Sequence, residues 1–373
     1  MAYKITFICR KCSLSIAFML LLQAANAQAD FSKAGDWLKD NVRELGGRAV
    51  LVIFKDGKIV FNKAENDLSS KQKMIGKFIA KRQGKDPAEA LQDFSSTTKQ
   101  RIASCSKWLS AALVMTFVDE GKLSLGDSIG KFLPVMTANG KGGIKIWQCL
   151  SHLTGIKAGT LKESLGVMKD IQSMDEAIEL IAKQPMEGEP GKTFHYSSEG
   201  LQIAAAVIEK ISGKDFETLF AERIARPCGM VNSDFGHGKV AMPAGSGWST
   251  AEDYTKFLTM ILNEGQYNGK QVLSTQSVIE MQKNRVSKDA TIAYTPAEAG
   301  NWGYGFGEWV MDDAVGDKRS NGVTSPGLFG SFPWVDNKLH YTGFLFTFYF
   351  KSKGRNDRYK ELKKIVDEAI TAK

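Results

Sequence analysis

The chain has 373 residues, of which 43% are hydrophobic and 24% charged. That is the composition of a globular protein with room for a sizeable core, and it excludes a disordered or collagen-like chain. The formal charge of +8 is mildly basic; with no zinc-finger spacing, arginine-rich arm or RNA-binding signature beside it, it points to anionic surfaces or substrates rather than to nucleic acid.

The N-terminus reads as a segment apart. Lys4, Arg10 and Lys11 make a basic start, residues 14–22 are an apolar run too short to span a bilayer comfortably, and Ala25-Asn26-Ala27 has the small residues of a cleavage site. The expectation is a signal peptide over residues 1–27, cut near Ala27, which makes the protein periplasmic or secreted; a retained membrane anchor is the alternative. Cleavage lowers the charge from +8 to +5 and removes Cys9 and Cys12. Cys105, Cys149 and Cys228 remain, an odd and irregularly spaced set that is no disulfide scaffold, although an oxidising compartment allows one pair. No later segment is long and apolar enough to be transmembrane.

Residues 47–62 read as a hairpin: 49–54 are apolar and β-branched, Asp56-Gly57 is a tight-turn pair, and 59–61 resume the strand. A basic stretch follows over residues 71–101, in which Met74, Ile75, Phe78 and Ile79 have helical spacing. A peripheral helix with one packed face is the expectation there; a lid, or a patch that meets an anionic surface, is the other reading. Residues 104–120 form an apolar helix stopped by Gly121, and 144–213 are helices with loops between them, among them a strongly apolar one over 204–211 stopped by Ser212-Gly213. The helix over 249–263 has Ser249 and Thr250 as cap candidates and Asp253 in its first turn. Aromatic, alternating strands return at 303–311, 327–335 and 341–351, the last two able to pair through Asp336-Asn337-Lys338, and an amphipathic helix over 357–371 closes the chain. Strands at both ends with helices between them predict an α+β fold: one antiparallel sheet built from both termini, flanked by helices, with an all-helical insertion. The expected layout is one domain over 28–373, its α/β part at about 28–115 and 240–373 and its helical part at about 116–239.

Three short segments carry chemistry. In Ser104-Cys105-Ser106-Lys107, at the start of an apolar helix, the hydroxyl and the amine lie one turn apart on one face, and the helix N-terminus offers N–H groups to a developing oxyanion. Tyr196-Ser197-Ser198 follows Pro190-Gly191 and precedes the helix at Ala204, and a tyrosine in a loop at a helix start can present its phenol to a cleft. Beside a lysine ammonium its pKa should fall, which would let it take the serine proton and later activate water. Ser325-Pro326-Gly327 is read as opening the strand over residues 328–334; its glycine lets substrate approach the backbone, and the N–H of Leu328 joins that of Ser104 as an oxyanion donor.

Ser104-x-x-Lys107, Tyr196-x-Ser198 and a glycine-bearing strand, in that order, resemble the serine β-lactamase and DD-peptidase superfamily, in the branch of class C β-lactamases and family VIII carboxylesterases. Residues 102–109 are similar to its nucleophile helix, 121–127 to the turn after it, 150–156 to its LLSHTSGL segment, and 196–200 and 248–253 also match; the likeness runs from about 48 to 350. The resemblance implies a β-lactamase/transpeptidase-like fold with Ser104 as nucleophile, Lys107 as proton relay, Tyr196 as general base, and Ser198 in the place of an Asn that touches the substrate amide. The family's third motif is Lys-Thr-Gly, whose lysine helps to hold a β-lactam carboxylate; here Ser325 replaces it and Pro326 brings no N–H. Glu163-Ser164-Leu165-Gly166 does not match the deacylating loop of class A enzymes, so water activation falls to Tyr196.

Other candidates rank lower. Gly126-Asp127-Ser128-Ile129-Gly130 fits G-x-S-x-G but lacks the strand before it and the helix after it. The four histidines do not cluster and show no metal-ligand spacing; His152 fits a buried hydrogen bond, an extended segment would turn His195 away from the side of Tyr196, and Cys105 would face another side of the helix as an inert thiol. Trp147, Trp302, Tyr304, Trp309 and Trp334 fit core packing as well as a substrate cleft. The expectation is a secreted, monomeric serine hydrolase that forms an acyl-enzyme on Ser104 and cleaves an ester or amide, as a carboxylesterase or D-amino-acid peptidase does. Its partner would be a small-molecule or peptide substrate, with no metal, cofactor or nucleic acid. A true class C-like β-lactamase, or a slowly turning over penicillin- or peptidoglycan-peptide-binding protein, is the alternative.

Overall fold

The computed structural model describes residues 29–82, 84, 86–159, 170–236, 238–312 and 316–372. The expected leader at 1–27 and the Glu163–Gly166 stretch lie outside them. The first hairpin forms where the sequence places it, with β1 over Arg48–Lys55 and β2 over Lys58–Asn66. Asp56 and Gly57 both have positive φ, 51° and 78°, the geometry in which a two-residue turn matches the twist of its strands. The other strands come from the far end of the chain: β3 (Gly303–Tyr304), β4 (Trp309–Val310), β5 (Gly322–Thr324), β6 (Phe332–Asp336) and β7 (Tyr341–Thr347). The sheet runs β2-β1-β7-β6-β5-β4-β3, with every neighbouring pair antiparallel. The central pairing sets Ala49 against Thr347 and Lys55 against Tyr341, so the two termini close one sheet.

β1 is apolar without alternation because both of its faces are covered. Val50 and Val52 point into one core, with α3 (Ser106–Asp119) and α6 (Ala251–Leu262). Ala49, Leu51 and Ile53 point into a second core, under α1 (Ser32–Asn41) and α7 (Arg355–Thr371). In that second core Phe332 lies flat on Tyr359, with ring centroids 4.2 Å apart. α3 is apolar all round, from Trp108 to Phe117, and a helix of that kind has to be buried. It lies between the sheet and the helical layer, where α4 (Met174–Lys183) and α5 (Glu199–Ser212) pack. Gly213, with φ 70°, ends α5, and Thr250 caps α6 by accepting the N–H of Asp253.

The structure departs from the sequence reading in three places. Residues 303–311 are a hairpin, β3 and β4, because Gly307 turns the chain with φ 75°; a Cβ there would stand 2.4 Å from the carbonyl of Lys107. The segment 327–335 is a turn followed by β6: Gly327 donates to the carbonyl of Ser331 at 2.8 Å and Gly330 to that of Gly327 at 2.9 Å. Ser325-Pro326-Gly327 therefore follows β5 rather than opening a strand. Finally, α2 (Ser70–Arg82) buries only Ala80, and its large apolar residues face outward instead of forming a packed face.

Candidate active site

The site is built on a kink at the head of α3. Ala103 has φ 46°, a left-handed conformation that costs an alanine roughly 1–3 kcal/mol and persists only where its surroundings hold it. A short 3-10 turn, Ala103–Cys105, follows and runs into α3, which sets Ser104 half-buried on the wall of a cleft of about 1560 Å³. One turn on, Lys107 is buried, with Nζ 3.1 Å from Ser104 Oγ and 2.8 Å from the carbonyl of Ala244. Burial drives its pKa down from 10.5 to about 7, against the opposing pull of Glu199 and Cys105. A neutral amine there can donate one N–H to Ala244 and turn its lone pair to the Ser104 hydroxyl.

Tyr196 closes the group. Its backbone N–H donates to the carbonyl of Tyr294 at 3.1 Å, and α5 begins three residues on. The ring stacks on Trp309 at 5.0 Å and lies 4.7 Å from Lys107 Nζ. Its phenol pKa moves the other way from the expected one: burial pushes it up, and Ser104 against the phenol draws it only partly back. The expected acidification needs a full ammonium beside the phenol, whereas burial lowers the lysine's own hold on its proton as well. His152, 4.7 Å from the Tyr196 ring, is kept neutral by burial and by Lys107. It accepts the N–H of Ser197 at Nδ1 (3.4 Å), which leaves Nε2–H for Tyr304 Oη at 3.0 Å. That fixes the loop bearing Tyr196 from behind.

The third wall differs from the sequence reading. Ser325 is buried and donates its hydroxyl to the carbonyl of Gly307 at 2.9 Å, within 3.3 Å of the Ser104 carbonyl; it braces the turn instead of facing substrate. Gly327 is a glycine because Ile102 crowds it: a Cβ would stand 2.5 Å from the Ile102 carbonyl and 3.2 Å from Cys105 Sγ. Pro326, Leu328 and Phe329 line the cleft on that side, and Ser198 lines it beside Tyr196. Of the aromatic candidates Trp309 alone faces the cleft; among the described residues no cluster of metal-ligating side chains occurs.

The sequence profile of the Beta-lactamase family matches residues 38–368. The chain belongs to that family. Its β-lactamase/transpeptidase fold is the one predicted, and the family is one of serine hydrolases. A solved structure from Bacteroides dorei DSM 17855, provisionally described as a β-lactamase, superposes with TM-score 0.74 at 26% identity, covering 92% of this chain and 99% of that one. A family VIII carboxylesterase superposes with TM-score 0.68 over 90% of this chain and 97% of the other; at 18% identity that likeness is one of fold. An Escherichia coli K12 protein, provisionally described as a D-alanyl-D-alanine carboxypeptidase, is 26% identical over 239 residues, 60% of this chain and 52% of that one.

Two parts of this β-lactamase-family site escaped the sequence reading. One is the segment 243–247, which runs along α3: Ser110 donates to the carbonyl of Pro243 at 2.7 Å, Ala244 holds Lys107, and Gly247 donates to Ser106 Oγ at 3.0 Å. The signal was Gly245-Ser246-Gly247 just before the Trp248 segment. The other is Glu199, buried, which accepts the Ser198 N–H at 3.0 Å and acts on the charge of Lys107. Ser128 meets Lys145 Nζ at 2.8 Å and sits ahead of a 3-10 turn, with no elbow around it.

Proposed function

We propose that the protein is an exported hydrolase that cleaves an ester or amide through an acyl-enzyme on Ser104. The observation that carries this reading is the 3.1 Å contact between Ser104 Oγ and a lysine whose pKa is lowered to about 7. In its neutral form Lys107 takes the hydroxyl proton, directly or through the Tyr196 phenol, while Ser104 Oγ bonds to the substrate carbonyl carbon. The N–H groups of Ser104 and Leu328 receive the oxyanion. When the bond to the leaving group breaks, the proton passes from Lys107 to the departing oxygen or nitrogen, and the amine is neutral again. Water then gives its proton to the same pair and attacks the acyl carbon; Ser104 leaves with that proton. Tyr196 holds its proton tightly, so it serves as a relay and not as a standing phenolate.

The cleft favours a carboxylesterase or D-amino-acid peptidase over a β-lactamase. The third-motif cation is replaced by Ser325, whose hydroxyl is committed to Gly307, and the wall beyond it is Pro326, Leu328 and Phe329. The likeness to an Escherichia coli protein provisionally described as a D-alanyl-D-alanine carboxypeptidase, and in fold to a family VIII carboxylesterase, supports the same range. Ser104→Ala is expected to abolish turnover of a p-nitrophenyl ester, and a fluorophosphonate should add to Ser104 alone by mass spectrometry. Full activity in the variant would overturn the mechanism; rapid nitrocefin hydrolysis would overturn the substrate reading.

A further inference from the structure

α2 is an amphipathic helix turned inside out. It lies on the body through its small residues: Ala80 is buried, and a Cβ on Gly76 would stand 3.6 Å from Ala90. Its large apolar residues point away, with Met74 65%, Ile75 44%, Phe78 66% and Ile79 47% exposed. Their spacing, at i, i+1, i+4 and i+5, makes one continuous face. Lys73, Lys77 and Lys81 run along the helix beside that face, and Lys71 and Arg82 stand at its ends; all five are exposed, and no acidic residue occurs within Ser70–Arg82.

We infer that this face docks the protein on a bilayer that contains anionic phospholipid. Four large side chains left in water form the kind of apolar patch that marks an interaction surface. The ring of cations selects the partner. A second copy of the chain would bring like charges together around the patch, whereas lipid phosphates offer the opposite sign to every lysine. Long cationic side chains beside an apolar stripe suit a helix lying in the plane of a membrane, where the stems stay with the apolar layer and the ammonium groups reach the headgroups. The helix is tied to the end of the sheet where β1 begins and β7 ends, because Gln72 lies against Gly47 and Tyr349 against Gly46. Phe350, exposed on the chain leaving β7, lines the cleft, so the sheet end that holds α2 also carries one rim of the site.

The test is co-sedimentation of the full chain, with the same N-terminus in every variant, on vesicles of phosphatidylcholine alone and of phosphatidylcholine with phosphatidylglycerol. The protein should partition onto the anionic vesicles at least about tenfold more strongly, with much of the gain lost at about 1 M salt, where screening is nearly complete. Ile75→Glu/Phe78→Glu should lose binding to both vesicle types by about tenfold or more. Lys73→Gln/Lys77→Gln/Lys81→Gln should lose the preference for phosphatidylglycerol. None of these residues lines the cleft, so thermal melts and ester turnover of all variants should match the parent. Equal partition of parent and variants onto both vesicle types would overturn the inference. So would light scattering that shows a dimer dispersed by Ile75→Glu/Phe78→Glu, since the face would then be a self-interface.

Discussion

Lys107 holds two properties in opposition. It is buried, which disfavours its charge, and the proposed chemistry uses the neutral form that burial favours. With a pKa near 7, kcat/KM for an aryl ester should rise with pH and level off above it, the midpoint near 7 marking loss of the ammonium proton. Lys107→Arg keeps its proton at every accessible pH and should lose about 10³-fold or more in kcat without that midpoint. Stability follows from the same shift. Between pH 7 and 10.5 the unfolded chain binds a proton that the folded chain does not, so this group makes the protein more stable as pH rises through that window. The shift corresponds to about 5 kcal/mol of strain on the folded state at pH below 7. Lys107→Met should therefore be inactive yet melt higher than the parent, by more at pH 6 than at pH 9; the reverse order would sink this account. Tyr196→Phe keeps the ring on Trp309 and removes the relay, and should lower kcat by about 10²–10⁴ in steady-state assays with the ester.

At the scale of elements, two glycines hold the strand edge to α3 and the turn at its head. Gly307 turns β3 into β4 against the carbonyl of Lys107, and Gly327 lets the turn after β5 reach Ile102. Gly307→Ala must place a Cβ 2.4 Å from that carbonyl at φ 75°, and should cost about 2–4 kcal/mol in denaturant unfolding. Activity should fall with it because the helix carrying Lys107 is pushed. These constraints explain what could be read in advance. The S-x-x-K turn, the apolar α3 and the Asp56-Gly57 hairpin depend on neighbours within a few residues, and the sequence displays them. The split of residues 303–311, the inward turn of Ser325 and the outward face of α2 depend on partners far along the chain: Ser325 reaches the carbonyl of Ser104 across 221 positions. The direction of the Tyr196 shift is hidden from the sequence for the same reason, since burial is a property of the assembled cleft and outweighs the one neighbour visible in sequence.

At the scale of the molecule, two cores share one sheet, and neither is stapled. Cys105, Cys149 and Cys228 are free and buried, and burial keeps each thiol protonated. The native protein should therefore resist a thiol-specific reagent such as dithionitrobenzoate until denatured, when the three should react together. What joins the early and late parts of the chain is the pairing of β1 with β7, covered by a core on each face. That join also sets a schedule. Ser104 emerges from the ribosome early, whereas Leu328 and β7 come late, ahead only of α7, and the serine meets its far wall only when the sheet closes. Until then the chain carries Ser104 with Lys107 one turn away but without the Leu328 wall of the cleft. A nascent polypeptide should thus gain its full reactivity only when the final strand has closed the sheet.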